Sequence, residues 1–320
     1  MRSPEITWTA WYDRALMKVA IVGAGGVGGY FGGRLAAAGA DVWFLARGPH
    51  LAAMRSRGLT LRSFRGDLEL PRVNATDDPA TIGPSDIVLF TVKLYDAEAA
   101  LTLLPPLVGP DTAVIPLQNG VDGVGLVSRA VGAAHTVGGT VYVAAVIAEP
   151  GVVRHTALDQ LIFGELDGRR SARLERFLDA CRPAGFEATL SDNIQIDIWT
   201  KFVRLSTFSG MTAVTRSPIG PIVADAELFD MLKTAAREAA AVAQAKGIDL
   251  PAAVTDGIER SYANLPAQMK SSLLEDLERG RRLELPWLSG AVVRIGREVG
   301  VDTPTHAFIV KALKLHVGGH

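Results

Sequence analysis

An apolar run that ends in a burst of glycines leaves a chain few options. Lys18-Val-Ala-Ile-Val22 reads as a strand, Gly23-Ala-Gly-Gly-Val-Gly28 follows at once, and the stretch 31–38 has the look of a helix. Gly23, Gly25 and Gly28 hold the G-x-G-x-x-G spacing. The first permits the turn, the second lets backbone approach a pyrophosphate, and the third lets the helix close on the strand. Free N–H groups at the positive end of that helix suit a phosphate. Gly23, Ala24, Gly25, Gly26, Val27 and Gly28 are therefore candidate contacts of a dinucleotide. A plain glycine-rich turn is the blander reading, and the next strand weighs against it. Asp41-Val-Trp-Phe-Leu-Ala46 delivers Arg47 to the place where an NAD-binding chain carries Asp or Glu for the ribose hydroxyls. A cation there suits a 2′-phosphate, which favours NADP(H).

At 320 residues the chain is long for one hydrophobic core, so two domains are expected. A formal charge of −1 gives no broad attraction to nucleic acid or to an anionic membrane, and neither is expected as a partner. Cys181 is the one cysteine, which forbids an internal disulfide and a cysteine-built metal site; a reducing, cytoplasmic setting is the expectation. Residues 1–16 hold Glu5 and Asp13 among aromatics, unlike a signal peptide, and are read as an N-terminal extension.

Along residues 17–191 short apolar strands alternate with helical stretches, the rhythm of a mostly parallel, doubly wound sheet. Residues 59–63 and 67–70 read as a small hairpin-like insertion. The strand 86–92 delivers Lys93 at its carboxyl end, and 111–117 delivers Asn119. Ligands of open parallel sheets lie outside those ends, so Arg47, Lys93 and Asn119 should converge on the nucleotide. Segments 136–146, 151–155 and 161–165 read as the far edge of the same sheet, closed by a helix over 171–181 and a strand over 186–190. From residue 192 to 320 the period is helical throughout, which predicts a second, all-α domain for substrate and catalysis.

A nicotinamide cofactor implies hydride transfer, for which the protein must supply a proton and orient the substrate. In the stretch 198–210, Lys201, Leu205 and Ser209 share one inward helical face, while Arg204 is assigned to another face, reaching solvent. A buried lysine is expensive unless it is paired or used. Glu284, between Leu283 and Leu285, is a carboxylate in need of a cation such as Lys201, and Ser272 is polar beside an apolar run.

These residues carry a resemblance. The chain from Met17 to about Leu315 resembles the ketopantoate reductase (2-dehydropantoate 2-reductase) family. The matching pieces are Val22-Gly-Ala-Gly-Gly-Val-Gly28, Ala46-Arg-Gly48, Thr91-Val-Lys93, Gln118-Asn-Gly120, Trp199-Thr-Lys201, Lys270-Ser-Ser-Leu-Leu-Glu-Asp276 and Leu283-Glu284. The resemblance implies a Rossmann domain followed by a helical domain of the 6-phosphogluconate dehydrogenase C-terminal type. It also implies an NADP(H)-dependent oxidoreductase that reduces ketopantoate to (R)-pantoate in pantothenate biosynthesis. Lys201 matches the general acid, Asn119 a residue between nicotinamide and substrate, and Lys93 a cofactor contact. Ser272 matches a substrate contact, Glu284 the glutamate beside cofactor and reacting centre, and Ala144 a backbone contact to the cofactor.

The chain also departs from the family. Four and eight residues after the lysine, well-studied members carry substrate-binding asparagines, where this chain has Leu205 and Ser209. A third would fall near Ile219. Losing such an amide leaves substrate groups unpaired at roughly 1–3 kcal/mol each. Two alternatives follow, a related reductase acting on a more apolar 2-oxo acid and a non-catalytic NADPH sensor. The partner expected is a small 2-oxo acid, and a homodimer is admitted.

Overall fold

The first strand, β1 (Lys18–Val22), is the middle of a five-stranded parallel sheet. On one side it pairs with β2 (Asp41–Leu45), which pairs with β5 (Asn74–Thr76); on the other it pairs with β6 (Ser85–Phe90), which pairs with β7 (Val108–Pro116). The computed structural model describes residues 16–255 and 257–319, so the extension expected over 1–16 lies outside them apart from Leu16.

A second sheet corrects the expectation of a single one. β3 (Leu59–Ser63) and β4 (Leu68–Leu70) form the expected hairpin, but β3 also pairs in parallel with β9 (Val152–Gly164). β9 pairs with β10 (Glu187–Leu190) and, antiparallel, with β8 (Gly138–Glu149). The segments 136–165 are thus no edge of the first sheet; an isolated bridge joins Val114 of that sheet to Thr136. The stretches 151–155 and 161–165 are one continuous strand. Helix α1 (Gly26–Ala37) lies between the sheets, with Gly32 against Ile21 and Phe44 and Gly33 against Leu59 and Leu61. Its Tyr30, Phe31 and Leu35 are fully buried in the core that both sheets share. The glycines that looked like punctuation are what lets one helix touch two sheets.

Helices α2 (Gly48–Arg57), α3 (Pro79–Ile82), α4 (Leu94–Leu101), α5 (Gly123–Val131) and α6 (Ala172–Cys181) complete this half. The other half is helical, as expected. α7 (Ile194–Thr215) is its axis, started by Asn193, whose side chain accepts from the Ile196 amide. Around it stand α8 (Ile219–Ala224), α9 (Ala226–Ala245), α10 (Ala252–Thr255), α11 (Ile258–Ala263), α12 (Ser272–Glu278), α13 (Ser289–Val299) and α14 (Pro304–Leu313). Phe202, Val203, Leu232, Val242, Leu277, Val292 and Ile309 are among the side chains of a core separate from that of the sheets. Among the described residues, no helix is long and apolar enough to cross a membrane.

Candidate active site

The turn from β1 to α1 has the form its glycines require. Gly23 takes φ +100°, and a Cβ there would stand 2.8 Å from the Val92 side chain. Gly26, to which the spacing motif gives no role, is pressed against β8; a Cβ would meet the Ala145 carbonyl oxygen at 2.0 Å. Gly25 is the opposite case. It has φ −73°, and a Cβ would meet no heavy atom within 4 Å, so open space faces the turn. Gly25 starts α1 without a side-chain cap, and the first turn holds no acidic residue. Amides without intrahelical acceptors beside that open space fit the pyrophosphate of a dinucleotide. Ala144, expected to offer backbone to the cofactor, stands next to Ala145, and its own carbonyl accepts from Thr156 Oγ1 at 3.4 Å.

Across the junction of the two halves runs a chain of polar contacts. Lys201, on α7, donates from Nζ to Asn119 Oδ1 at 3.0 Å and to the Val141 carbonyl at 2.6 Å. Asn119, beyond β7, donates from Nδ2 to Glu284 Oε2 at 3.3 Å. The same oxygen accepts from Lys93 Nζ at 2.8 Å, and Asp276 of α12 lies 3.9 Å from that ammonium. Lys93 occupies the start of α4, where β6 ends. Lys93, Asn119, Lys201 and Glu284 are therefore brought together. Glu284 meets Lys93 directly and Lys201 through Asn119, a correction to the direct Lys201–Glu284 pair suggested by the sequence.

Electrostatics separate the two lysines. Burial pulls the Lys201 ammonium down to about 8, and the charge of Glu284 opposes a further fall. Burial acts on Lys93 in the same direction, but the adjoining Glu284 and Asp276 carboxylates outweigh it, and the net shift is upward. Asp276 is itself raised by burial, against the pull of Lys93 and Arg281. Lys93 is held more firmly charged than an ordinary lysine, while Lys201 gives up its proton more readily, at about 8.

The remaining predicted residues are placed less centrally. Arg47 stands apart from the polar chain, where β2 gives way to α2. It is paired with Asp96 of α4 at 3.2 Å, with 83% of its side chain exposed. Its convergence with Lys93 and Asn119 is thus loose; Asp96 lies in the first turn of the helix that Lys93 begins. Leu205 is half-buried, one turn beyond Lys201. Ser209 is fully buried, its Oγ lacks a hydrogen-bond partner, and it presents no surface to a substrate, which corrects its assignment as a contact. Ile219 is buried as well. Ser272 is exposed on the first turn of α12, four residues before Asp276 and so on the same face. Its neighbour Ser271 is the buried one, capping α12 and bonded to Thr212 Oγ1 at 2.7 Å.

Arg204 contradicts its assignment to a solvent-facing side. Three residues on from Lys201 is nearly a full helical turn, so the two share a stripe. Arg204 is half-buried, with Nε shut off from solvent and without a hydrogen-bond partner. Its positive charge opposes the burial that raises the Tyr142 hydroxyl, and Lys201 Nζ lies 5.7 Å from the centre of the Tyr142 ring. The error was one of angle, since the residue type favoured the surface and the spacing did not.

Comparison with known proteins identifies the family. Residues 19–168 match the family model described as ketopantoate reductase PanE/ApbA, and residues 193–317 match that of its C-terminal part. A 2-dehydropantoate 2-reductase of Mesorhizobium japonicum is 33% identical over 310 residues, covering 90% of this chain and 94% of the relative. One from Archaeoglobus fulgidus is 31% identical, covering 93% and 97%. Among solved structures, a PanE/ApbA family ketopantoate reductase of Ralstonia eutropha superposes with a TM-score of 0.86 at 32% identity, over 94% of this chain and 98% of that one. A D-mandelate dehydrogenase solved with NADH and anilino(oxo)acetate shares the fold, with a TM-score of 0.85 at 23% identity and coverage of 94% and 98%.

Proposed function

The chain belongs to the ketopantoate reductase family, and from that membership we propose that it reduces 2-dehydropantoate (ketopantoate) to (R)-pantoate with NADPH. It is an oxidoreductase acting on a CH–OH/C=O substrate, and the family works with a nicotinamide cofactor. The reading rests above all on Lys201, whose Nζ is held from the other half of the molecule by Asn119 and Val141.

The nicotinamide, when bound, supplies the hydride that C2 of the substrate receives. Lys201 does the rest of the chemistry. An ammonium has three hydrogens, and two are engaged by Asn119 Oδ1 and the Val141 carbonyl, which leaves one for the ketone oxygen. As the C=O π pair moves onto oxygen, the positive charge stabilises the developing alkoxide, and the proton passes to it. The 2-oxo acid becomes a 2-hydroxy acid, and a proton from solvent restores the ammonium. Lys93 and Glu284, held at 2.8 Å, stand beside the nucleotide end of this arrangement and fix Asn119 in place.

The direct test follows NADPH absorbance across a panel of 2-oxo acids. Ketopantoate should give the highest kcat/KM. A 2-oxo acid with an apolar tail in first place would move the assignment to the alternative that half-buried Leu205 favours. Tight NADPH binding without any turnover would leave only a sensor.

Two further outcomes are expected. Glu284→Gln keeps an acceptor for Asn119 but removes the charge that holds the Lys201 pKa up, so the pH at which reduction falls off should move to the acid side of 8. An unmoved pH profile would dissociate Glu284 from the proton donor. Arg47→Ala should weaken NADPH about 10-fold or more and NADH less than about 3-fold. An exposed pair such as Arg47–Asp96 is worth at most about 1 kcal/mol, so little holds the guanidinium back from a 2′-phosphate. Equal losses for both cofactors, read by fluorescence quenching, would refute the NADP(H) preference.

A further inference from the structure

We propose that Arg204 is the anchor for the substrate carboxylate and that it sets the preference of this protein for 2-oxo acids over neutral ketones. This deepens the reduction proposed above and rests on it for the identity of the ligand.

The argument starts from charge. Of the cations at the junction, Lys93 is neutralised by Glu284 at 2.8 Å, with Asp276 at 3.9 Å. Lys201 is held by two neutral oxygens and is committed to the ketone. Among the described residues no ion pair engages Arg204, and its Nε, buried away from water, has nothing to donate to. A guanidinium that is partly desolvated and unmatched carries a cost that an incoming anion would offset. The planar fork of arginine is shaped to take both oxygens of a carboxylate at once.

Position supplies the second argument. Side chains three apart on a helix have Cβ atoms about 5–6 Å from each other. In a 2-oxo acid the ketone and the carboxylate sit on adjacent carbons. With the ketone oxygen at Lys201 Nζ, the carboxylate needs a donor about one turn along the same stripe, and Arg204 occupies it. Tyr142 marks that this is the facing side. Its ring lies 5.7 Å from Lys201 Nζ, and its hydroxyl feels the charge of Arg204. Tyr142 follows Val141 on β8, whose carbonyl tethers Lys201. Leu205, where the resemblance expects an amide, can then be apolar without leaving the acid group unheld. The backbone of Arg204 is secured independently, since its carbonyl accepts from the Tyr262 hydroxyl at 2.8 Å, a bond that side-chain replacement leaves in place.

The test compares wild type with Arg204→Ala and Arg204→Lys in two assays. One is turnover of a 2-oxo acid and of its methyl ester. The other is calorimetric binding of 3,3-dimethyl-2-oxobutanoate to the NADP⁺-loaded protein. NADPH affinity within 2-fold of wild type certifies a folded variant, and Arg204→Lys provides a milder change should Arg204→Ala fail that check. The expected result is a KM for the acid raised 100-fold or more in the alanine variant with kcat changed far less. Lysine should recover part of the loss, the ester should be nearly unaffected, and guanidinium ion in the buffer should partly rescue the alanine variant. A KM for the acid within 3-fold of wild type, or equal losses for acid and ester, overturns the anchor while leaving the reductase standing. If wild type reduces no 2-oxo acid yet binds the carboxylate and the variants do not, the anchor stands and the reductase reading falls. Absence of both binding and turnover in wild type removes both.

Discussion

Lys201→Ala should lower kcat for 2-oxo acid reduction by about 10³-fold or more while the affinity for NADPH stays within a factor of about 3. Positioned general acids contribute roughly 10²–10⁴-fold, and here the same group also stabilises the alkoxide, which places the loss toward the upper end. Cofactor affinity is spared because the glycine turn and Arg47 stand on the other half of the molecule. The pH dependence has a definite sign. Lys201 must be protonated to donate, and burial brings its pKa down to about 8. Reduction should therefore be level below that value and decline above it, whereas oxidation of the 2-hydroxy acid, which needs the free amine, should rise through the same range. Steady-state profiles in both directions read this, and a reduction rate still level at pH 10 would remove Lys201 from the proton step.

The second large effect separates two adjacent glycines. Gly26→Ala would place a methyl 2.0 Å from the Ala145 carbonyl oxygen, with backbone on both sides of the clash. Neither can yield cheaply, so α1 and β8 must part, at a cost of about 3 kcal/mol and with loss of NADPH binding. Gly25→Ala puts the same methyl into open space at a backbone conformation that alanine accepts. Its melting temperature should stay near wild type while NADPH affinity falls about 10-fold or more, because the methyl fills the approach to the pyrophosphate. Thermal melts paired with cofactor titrations decide this. A Gly25→Ala protein that binds NADPH normally would show that the nucleotide does not cross that turn.

The pattern of those glycines made this half of the site legible in the sequence. A turn that must admit phosphate needs residues without side chains at fixed steps, and no other residue type leaves that trace. The strand ends were legible for a related reason, since parallel strands deliver their following residues to one rim, and Lys93 and Asn119 do meet there at Glu284. What could not be read were relations fixed by distant chain segments. β9 looked like two strands because Thr156, Asp159 and Gln160 interrupt its apolar pattern, and Leu158 does leave the extended conformation there, at φ +57°. β8 pairs with both sides of that bulge, while β3 pairs before it and β10 after it. The packing role of Gly26 was not legible, because its need arises from Ala145, more than a hundred residues away. Ser209 and Ser272 were set by family position, and packing has buried one and exposed the other.

The tether on Lys201 has a consequence for timing. Val141 and Asn119 belong to the sheet-bearing half and Lys201 to the helical one, so any rotation that parts the halves breaks both bonds in a single movement. The ammonium then gains water, its acidity relaxes toward that of an ordinary lysine, and the third hydrogen loses its aim. The tether thus makes the aim and the acidity of the ammonium depend on contact between the two halves.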